Sequence, residues 1–178
     1  MFSPKIIKWA NRIPSPQKET YLLRLFGLTK VPMIGFLWPK IIKIEDYISI
    51  IRIPSSYRSK NHVNSMYFGA LCAGADMAAG SLAVRHMMNE RRGGKTNDSD
   101  ETNNSNGTND NDETRDKIPN GEKNLSLLFT SIEADFFKLA KGDIDFVCYD
   151  GIEILEGVRW AYQYDKRYDG KSIIRLFN

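Results

Sequence analysis

Cysteine is scarce in this chain, and the scarcity excludes several kinds of site. The 178 residues include two cysteines, Cys72 and Cys148, which lie far apart in apolar surroundings. Neither has the paired spacing of a zinc site, an iron–sulfur cluster or a redox disulfide. We therefore expect small buried cysteines in a reducing compartment, with no metal and no cofactor.

Acidic residues are missing from the N-terminus. None precedes Glu19, and the preceding sequence, MFSPKIIKWANRIPSPQK, is basic and loosely amphipathic. It lacks the long apolar core of a secretory signal. Two interpretations remain open, a mitochondrial targeting segment and a basic amphipathic helix that begins the domain. The predicted compartment is cytoplasmic, with the mitochondrion as the alternative.

Charge is nearly absent between Ser65 and Val84, where Asp76 is the single charged residue. The length would suit a membrane span. However, most of these residues are Ala, Gly and Ser, and a central aspartate costs about 2.5–3.5 kcal/mol on an insertion scale. We therefore predict a buried helix of a globular domain and no membrane span. The cations Arg85 and Arg91 follow, as the C-terminal end of a helix dipole favours.

Large apolar residues are lacking in residues 93–122, which contain a single isoleucine. Three bases and eight acids lie between residues 95 and 122, which leaves 22 bases and 14 acids, a net charge of +8, for the rest of the chain. Such a segment buries too little surface to offset its ordering entropy. The predicted organisation is a basic helical segment at 1–30, a first part of the domain at 31–92, a disordered insertion at 93–122 and the remainder of the domain at 123–178.

Hydrophobic periodicity predicts the elements of one ordinary domain. They are a short helix at 20–27 that Gly27 ends, a strand or hairpin in KIIKIEDYISIIRIP that stops at Pro54, a central helix at about 62–90, an antiparallel hairpin formed by LSLLFTSIEADFF and IDFVCYD, a helix in IEILEGVRWAYQYDKR and the beginning of a strand in SIIRLF.

The predicted central helix is rich in small residues. Gly69, Ala73, Gly80 and Ala83 share a face with Asp76. Each interior glycine costs up to about 1 kcal/mol relative to alanine, so another element is expected to approach the helix backbone closely. A sheet wrapped tightly around the helix would do so, which predicts an α+β domain.

The same residues carry a resemblance to a known family. In acyl-CoA thioesterases of the phenylacetate-pathway type, the central helix of the hotdog fold begins with an Asn, then a His-Gly-Gly step, then an Asp seven residues after the second Gly. NHVNSMYFGALCAGAD has this spacing, with Asn61, then Tyr67, Phe68 and Gly69, then Asp76. The wider stretch, from RIPSSYRSKNHVNS to IDFVCYDG, looks like a group of thioesterase-like hotdog proteins known only by a domain-of-unknown-function label.

The resemblance implies a fold, a substrate and a set of site residues. The fold would be hotdog, an antiparallel sheet wrapped around a long central helix, in a homodimer with its active site between subunits. The substrate would be an acyl-CoA or another acyl thioester. Asp76 would be the base or nucleophile, the Gly69 amide would polarise the thioester carbonyl, and Asn61 would orient the preceding loop or bind substrate. Tyr67 and Phe68 would lie beside the substrate.

Other interpretations of these residues stay open. Asp76 could be a structural buried carboxylate, and Asn61 a plain loop or capping residue. His62 does not occupy the His position of the motif. Because Tyr67 and Phe68 replace His and Gly, a second hypothesis is an inactive hotdog module for acyl binding or assembly. No nucleic acid is expected as a partner, because the Lys and Arg residues are scattered and no motif accompanies them.

The end of the chain gives one further expectation. The family pattern continues, after the helix in IEILEGVRWAYQYDKR, into two further strands, whereas this sequence stops within SIIRLFN. We therefore expect a hotdog domain that lacks its last strand or two. In the alternative, KVPMIGFLW and KIIKIEDYISIIRI supply strands to a sheet that closes differently.

Overall fold

A computed structural model describes residues 14–93 and 125–178 of the chain. The fold is α+β, as predicted, and four antiparallel strands form one sheet in the order β1-β2-β3-β4. In chain order the elements are α1 (Gln17–Lys30), α2 (Pro32–Leu37), β1 (Lys40–Ile44), β2 (Ser49–Ile53), α3 (Phe68–Gly93), β3 (Ile144–Cys148), α4 (Gly151–Tyr164) and β4 (Ile174–Phe177).

The alternating isoleucine stretch forms a hairpin, which was one of the two predicted forms. β1 and β2 pair from Lys40↔Arg52 to Ile44↔Ser49, with an irregularity between Ile41 and Lys43. One face of the pair enters the core, where Ile51 is fully buried, because alternate side chains of a strand point to the same side. Arg52 and Asp145 tie β2 to β3 through two hydrogen bonds of 2.6 and 2.8 Å.

The central helix packs on the sheet through small residues. α3 begins at Phe68 rather than near residue 62, because residues 61–66 form a loop. A Cβ added at Gly74 would overlap the ring of Phe146 on β3, and that ring is fully buried. A sheet therefore approaches the helix backbone closely at Gly74, which lies outside the predicted face, whereas Gly69 and Gly80 on that face meet Tyr67 and the side chains of Leu127 and Phe129. Burial of an aromatic side chain such as Phe146 stabilises the fold by about 1.5–3 kcal/mol.

The β1–β2 turn fixes the C-terminal half of α3. The Nε of Arg85 donates a hydrogen bond of 2.8 Å to the Asp46 carboxylate. His86 is buried, and its Nε2 lies 2.9 Å from the Asp46 carbonyl oxygen. A carbonyl can only accept, so this nitrogen carries the proton. The buried side of α3 is thereby set, and the opposite side is left for the candidate site.

Gly27 does not end the first helix, and that prediction was wrong. α1 runs on to Lys30, because Gly27 serves a close crossing of two helices. A Cβ at this position would lie 2.9 Å from the Cα of Gly35 on α2. The segment KVPMIGFLW supplies this second helix and no strand, so the alternative that used it as a strand was also wrong. Pro32 opens α2, where its missing N–H costs no hydrogen bond.

The predicted hairpin of LSLLFTSIEADFF and IDFVCYD formed only in its second half. β3 arises from IDFVC, but residues 125–139 belong to no strand. The reason is that β2 and β4 occupy the two edges of β3. Among the described residues, none donates or accepts a backbone hydrogen bond with residues 125–139. We call these residues the extended segment.

The extended segment follows α3 in the opposite direction. A Cβ added at Gly80 would lie 3.6 Å from the side chain of Leu127 and 3.7 Å from that of Phe129. Further along, the Phe136 ring meets the Phe68 ring edge-on with centroids 5.8 Å apart. The segment thus lies beside the sheet-free face of α3 near Gly80 and near Phe68.

The remaining predictions divide between confirmed elements and residues outside the described ranges. IEILEGVRWAYQYDKR forms α4, and SIIRLF contains β4. The predicted insertion lies outside the described residues except for Gly93, the last residue of α3, and so do residues 1–13 of the basic N-terminal segment. Across residues 14–93 and 125–178, no helix is both long and apolar enough to cross a membrane.

Candidate functional site

Asn61 shapes the loop that leads into α3. Its Oδ1 accepts the backbone N–H groups of Val63 at 3.0 Å and Ser65 at 3.1 Å. Its own backbone N–H donates to the Ser65 carbonyl at 2.8 Å. This self-bonded turn agrees with the interpretation in which Asn61 orients the loop.

The loop is anchored to the end of the extended segment. The Met66 N–H donates to the Ala140 carbonyl at 2.7 Å, and the Ser65 hydroxyl donates to the same oxygen at 3.1 Å. The Tyr67 N–H donates to the Ser59 carbonyl at 2.7 Å. These bonds hold the first turn of α3 in place, so residues 67–69 occupy fixed positions.

Gly69 lies in the first turn of α3, where backbone N–H groups point out of the helix without a partner. A Cβ at Gly69 would lie 2.6 Å from Cε1 of Tyr67, so a larger residue here would require the exposed Tyr67 ring to move. Tyr67 and Phe68 are both more than half exposed, and Phe68 leans on Phe136. Two aromatic rings therefore surround the amide that the resemblance assigns to the oxyanion.

Asp76 is exposed on the surface of the single chain. The sheet covers the opposite side of α3, and on this side Asp76 is flanked by the small residues Cys72, Ala73 and Gly80. No hydrogen bond or ion pair joins its carboxylate to any other described residue. Partial burial nevertheless raises the pKa of Asp76 above its ordinary value, because nearby protein atoms replace some of the water around the charge.

The structure separates the predicted site residues into two groups. Asn61, Tyr67, Phe68 and Gly69 lie together at the N-terminus of α3, and Asp76 lies two turns further on the same face. Seven residues of helix span about 10.5 Å. Asp76 and the Gly69 amide of one chain therefore cannot both touch one thioester carbonyl, which requires contacts of about 3 Å. His62 is exposed in the preceding loop.

A cavity that was not predicted from the sequence lies beyond Asp76, between α3 and the start of the extended segment. Its volume is about 110 Å³, and its lining consists of Val84, Met87, Met88, Arg91 and Leu125. It is smaller than the roughly 150 Å³ cavity that accepts benzene in another protein. The helical spacing of the valine and the two methionines was the available signal, but it equally predicts a core face.

Cys148 is not suited to be a nucleophile of this site. Cys148 is buried in β3, and burial raises its pKa to about 11, so its thiolate is rare at neutral pH. Cys72 is partly buried on α3. Within the two described ranges, no group of three His, Cys, Asp or Glu side chains could hold a metal ion.

Comparisons with known proteins concern the fold. No family model matches the chain, and no curated protein matches it. A structural-genomics crystal structure, APC5556, aligns over 97% of this chain and 83% of its own, with 13% identity and a TM-score of 0.49. OLEI01261, a protein of unknown function from Chlorobaculum tepidum TLS, aligns over 84% of this chain and 73% of its own, with 15% identity and a TM-score of 0.50. The likeness to OLEI01261 is one of fold alone.

Proposed function

We propose that this chain is a hotdog-type acyl-thioester protein, which hydrolyses acyl-CoA esters as a homodimer with Asp76 as its base. One observation carries the proposal. Asp76 is a carboxylate without a partner in the described structure, on the small-residue face of the central helix, and its pKa is raised. A general base must keep its oxygens available to water or substrate, as the Asp76 carboxylate does.

The chemistry needs two groups at one carbonyl. The Asp76 carboxylate takes a proton from water, the oxygen adds to the thioester carbon, and the coenzyme A thiolate leaves. A raised pKa makes the carboxylate a stronger base, which favours the first step. The Gly69 N–H, at the positive end of the α3 dipole, stabilises the oxyanion.

The separation of the two groups is the argument for a homodimer. Within one chain they are about 10.5 Å apart along α3. A second copy whose α3 runs antiparallel would bring its own Gly69 amide next to this Asp76, and two equivalent sites would result. The compartment, cytoplasmic or mitochondrial, stays a prediction.

A second candidate function is an inactive acyl-binding or assembly module. The observation that favours it is the crowding at Gly69, where the Tyr67 ring lies against the glycine and Phe68 packs on Phe136. If these rings keep a carbonyl away from the amide, an acyl chain binds without hydrolysis.

The test is thiol release from a panel of short-chain, long-chain and aromatic acyl-CoA esters by the purified full chain. We expect Asp76→Asn to lower kcat by about a hundredfold or more, because general-base catalysis contributes about 10²–10⁴. The matched control is Glu156→Gln, which neutralises another exposed helical carboxylate, on α4. It should keep the full rate.

Three outcomes separate the candidates. Hydrolysis at the wild-type rate by Asp76→Asn would exclude Asp76 as the base. Saturable acyl-CoA binding without thiol release would support the inactive module. No binding of any ester would remove both.

Stability against pH tests the same carboxyl without substrate. The pKa of Asp76 is raised in the folded chain, so its ionisation disfavours folding. The protonated carboxyl therefore favours the folded chain. This stabilisation is complete at pH values below the pKa of Asp76 in the unfolded chain, and it is lost as the pH rises through the pKa of Asp76 in the folded chain. Asp76→Asn should therefore gain stability relative to wild type as the pH rises from acid to neutral. The gain should be small, because the group is exposed to solvent.

A further inference from the structure

The first two described helices carry mainly positive charge, and Glu19 in the first turn of α1 is their single acidic residue. Between residues 20 and 44 there is no acidic residue, and the four charged side chains are Arg24, Lys30, Lys40 and Lys43. This stretch covers nearly all of α1, the whole of α2 and β1. Lys43 pairs with Glu45 at 3.1 Å just beyond the stretch, whereas Arg24, Lys30 and Lys40 have no acidic residue within four positions along the chain.

The outward side of these helices is apolar. Leu28, Met33, Phe36 and Trp38 are exposed to 60, 55, 52 and 43%. An exposed helix of a globular protein normally presents polar residues to water, and a helix that is apolar all round is usually covered. A set of large exposed apolar side chains of this kind marks a surface that another molecule covers.

Cations and apolar side chains form one continuous surface. The Arg24 guanidinium lies over the Trp38 ring at 4.5 Å, and that of Arg58 lies over the Phe36 ring at 5.5 Å. The side chain of Leu28 reaches Gly35 on the neighbouring helix. We call this surface, made of Leu28, Met33, Phe36 and Trp38 with Arg24 and Arg58, the aromatic–cationic face.

We propose that the aromatic–cationic face docks on the surface of an anionic lipid bilayer. Aliphatic and aromatic side chains would enter the boundary between headgroups and acyl chains, and the guanidinium groups beside them would meet lipid phosphates. Each cation near an anionic membrane contributes attraction, and tryptophan favours the headgroup level. The protein lies on the bilayer in this arrangement and does not cross it.

The combination of cations and apolar side chains on this face favours an anionic bilayer over a nucleic acid as the partner. A nucleic acid offers phosphates to Arg24 and Arg58 and base faces to Trp38, but it offers no apolar medium to Leu28 and Met33. A bilayer offers both. The packing supports docking as a unit, because Gly27 and Gly35 hold α1 against α2 and the Nε of Arg24 donates to the Pro39 carbonyl at 2.8 Å.

The inference does not depend on the proposed hydrolysis. Asp76 lies on α3, and the aromatic–cationic face lies on α1, α2 and the loop after β2. The two can therefore be tested separately, and the test of the face uses lipid binding alone.

The experiment is flotation of the full chain with two kinds of vesicle, phosphatidylcholine alone and an equimolar mixture of phosphatidylcholine and phosphatidylserine. We expect binding to the anionic vesicles that weakens with added salt. The double variant Met33→Ser/Phe36→Ser should bind the anionic vesicles more weakly, by at least about tenfold for each of the two substitutions. The reason is that each substitution removes apolar area that would otherwise be buried in the bilayer. Both residues are exposed, so the melting temperature and circular dichroism should stay unchanged.

The matched control is Leu128→Ser/Phe137→Ser, which removes two side chains that are 82 and 95% exposed on the extended segment. It should bind vesicles as the wild type does. Absence of binding to the anionic vesicles, or equal binding by the Met33/Phe36 variant, overturns the proposal. So does an oligomer that the Met33/Phe36 variant converts to monomers without any lipid binding, because the face would then join two copies.

Discussion

The two edges of the sheet are treated differently. At the outer edge of β1, the Thr20 hydroxyl on α1 accepts the Ile41 N–H at 2.9 Å, and Arg24 donates to the Pro39 carbonyl at 2.8 Å. At the outer edge of β4, no hydrogen bond from the described residues replaces a partner strand. The β1 edge is closed by a helix, and the β4 edge is open.

The open edge lies in a region where apolar groups meet water. Leu176 and Phe177 of β4 are exposed, and so are Leu128 and Phe137 of the extended segment. Natural sheets normally protect an edge with a helix, a charge or a proline, because unpaired backbone groups pair readily with other chains. The difference teaches that α1 satisfies backbone groups at the β1 edge, whereas the backbone groups at the β4 edge have no such partner among the described residues.

The largest expected contrast is in amide hydrogen exchange. Amides of β2 and β3 should exchange at least about a thousandfold more slowly than those of residues 126–139, because sheet amides open only with the whole domain. The extended segment has no backbone partner among the described residues. Slow exchange throughout 126–139 in dilute protein would mean that another strand already covers it.

Alanine at Gly27 should damage the closed side most. Its Cβ would overlap the backbone of Gly35, which cannot turn aside as a side chain can, so overpacking should cost about 3 kcal/mol, the upper end of its usual range. The gain in helix propensity returns about 1 kcal/mol, which leaves a net loss of about 2 kcal/mol. The control is Gly80→Ala on α3, where the added Cβ makes only ordinary contacts with Leu127 and Phe129. Denaturant unfolding should find the control more stable by about 0.5–1 kcal/mol. If the two variants changed the free energy of unfolding equally, the close helix crossing at Gly27 would not be what stabilises this side of the domain.

Valine at Thr20 should open the closed edge with a smaller loss. The buried Ile41 N–H would lose its acceptor, which costs about 1–3 kcal/mol. Thr29→Val on the same helix is the control, because its hydroxyl bonds the Leu25 carbonyl at an exposed position. Unfolding free energies should separate the two variants by about 1 kcal/mol, and exchange at Ile41 should quicken only in Thr20→Val.

Lysine on either edge strand should change stability least, by about 0.5 kcal/mol or less, since both positions are exposed. Leu176→Lys on β4 should reduce concentration-dependent self-association, because a charge blocks an open edge. Ile42→Lys on β1 should leave association unchanged, because α1 already covers that edge. Light scattering over a concentration series measures both, and equal responses would mean that the edges do not differ.

Periodicity predicted the elements that carry their own pattern. The isoleucine alternation gave the β1–β2 hairpin, and the apolar spacing of IEILEGVRWAYQYDKR gave α4. The extended segment alternates equally well, but whether a strand pairs depends on which edges the rest of the chain leaves free. Local sequence holds no such information, so the predicted hairpin was wrong.

The close helix crossing at Gly27 and the exposure of Asp76 could not be predicted for the same reason, because both depend on contacts between distant parts of the chain. Gly27 in sequence looks like a helix end, and only its distance to Gly35 reveals a crossing. The resemblance selected Asp76, and the structure places it on α3 without a partner among the described residues. Its exposure was not predictable, because burial depends on what covers the second side of the helix. Whether that cover is a second copy stays a prediction.

Arg91 and Leu125 line the same cavity, and their proximity bears on how the fold accommodates insertions between them. The last turn of α3 and the first described residue after it lie side by side, so the chain leaves and rejoins the domain at one place. The entropy of closing a loop between fixed ends grows slowly, by about 0.6 kcal/mol for each doubling of length. Insertions and deletions of very different size are therefore tolerated here, and a reporter peptide or a fluorescent domain can be introduced at this junction without rebuilding the fold.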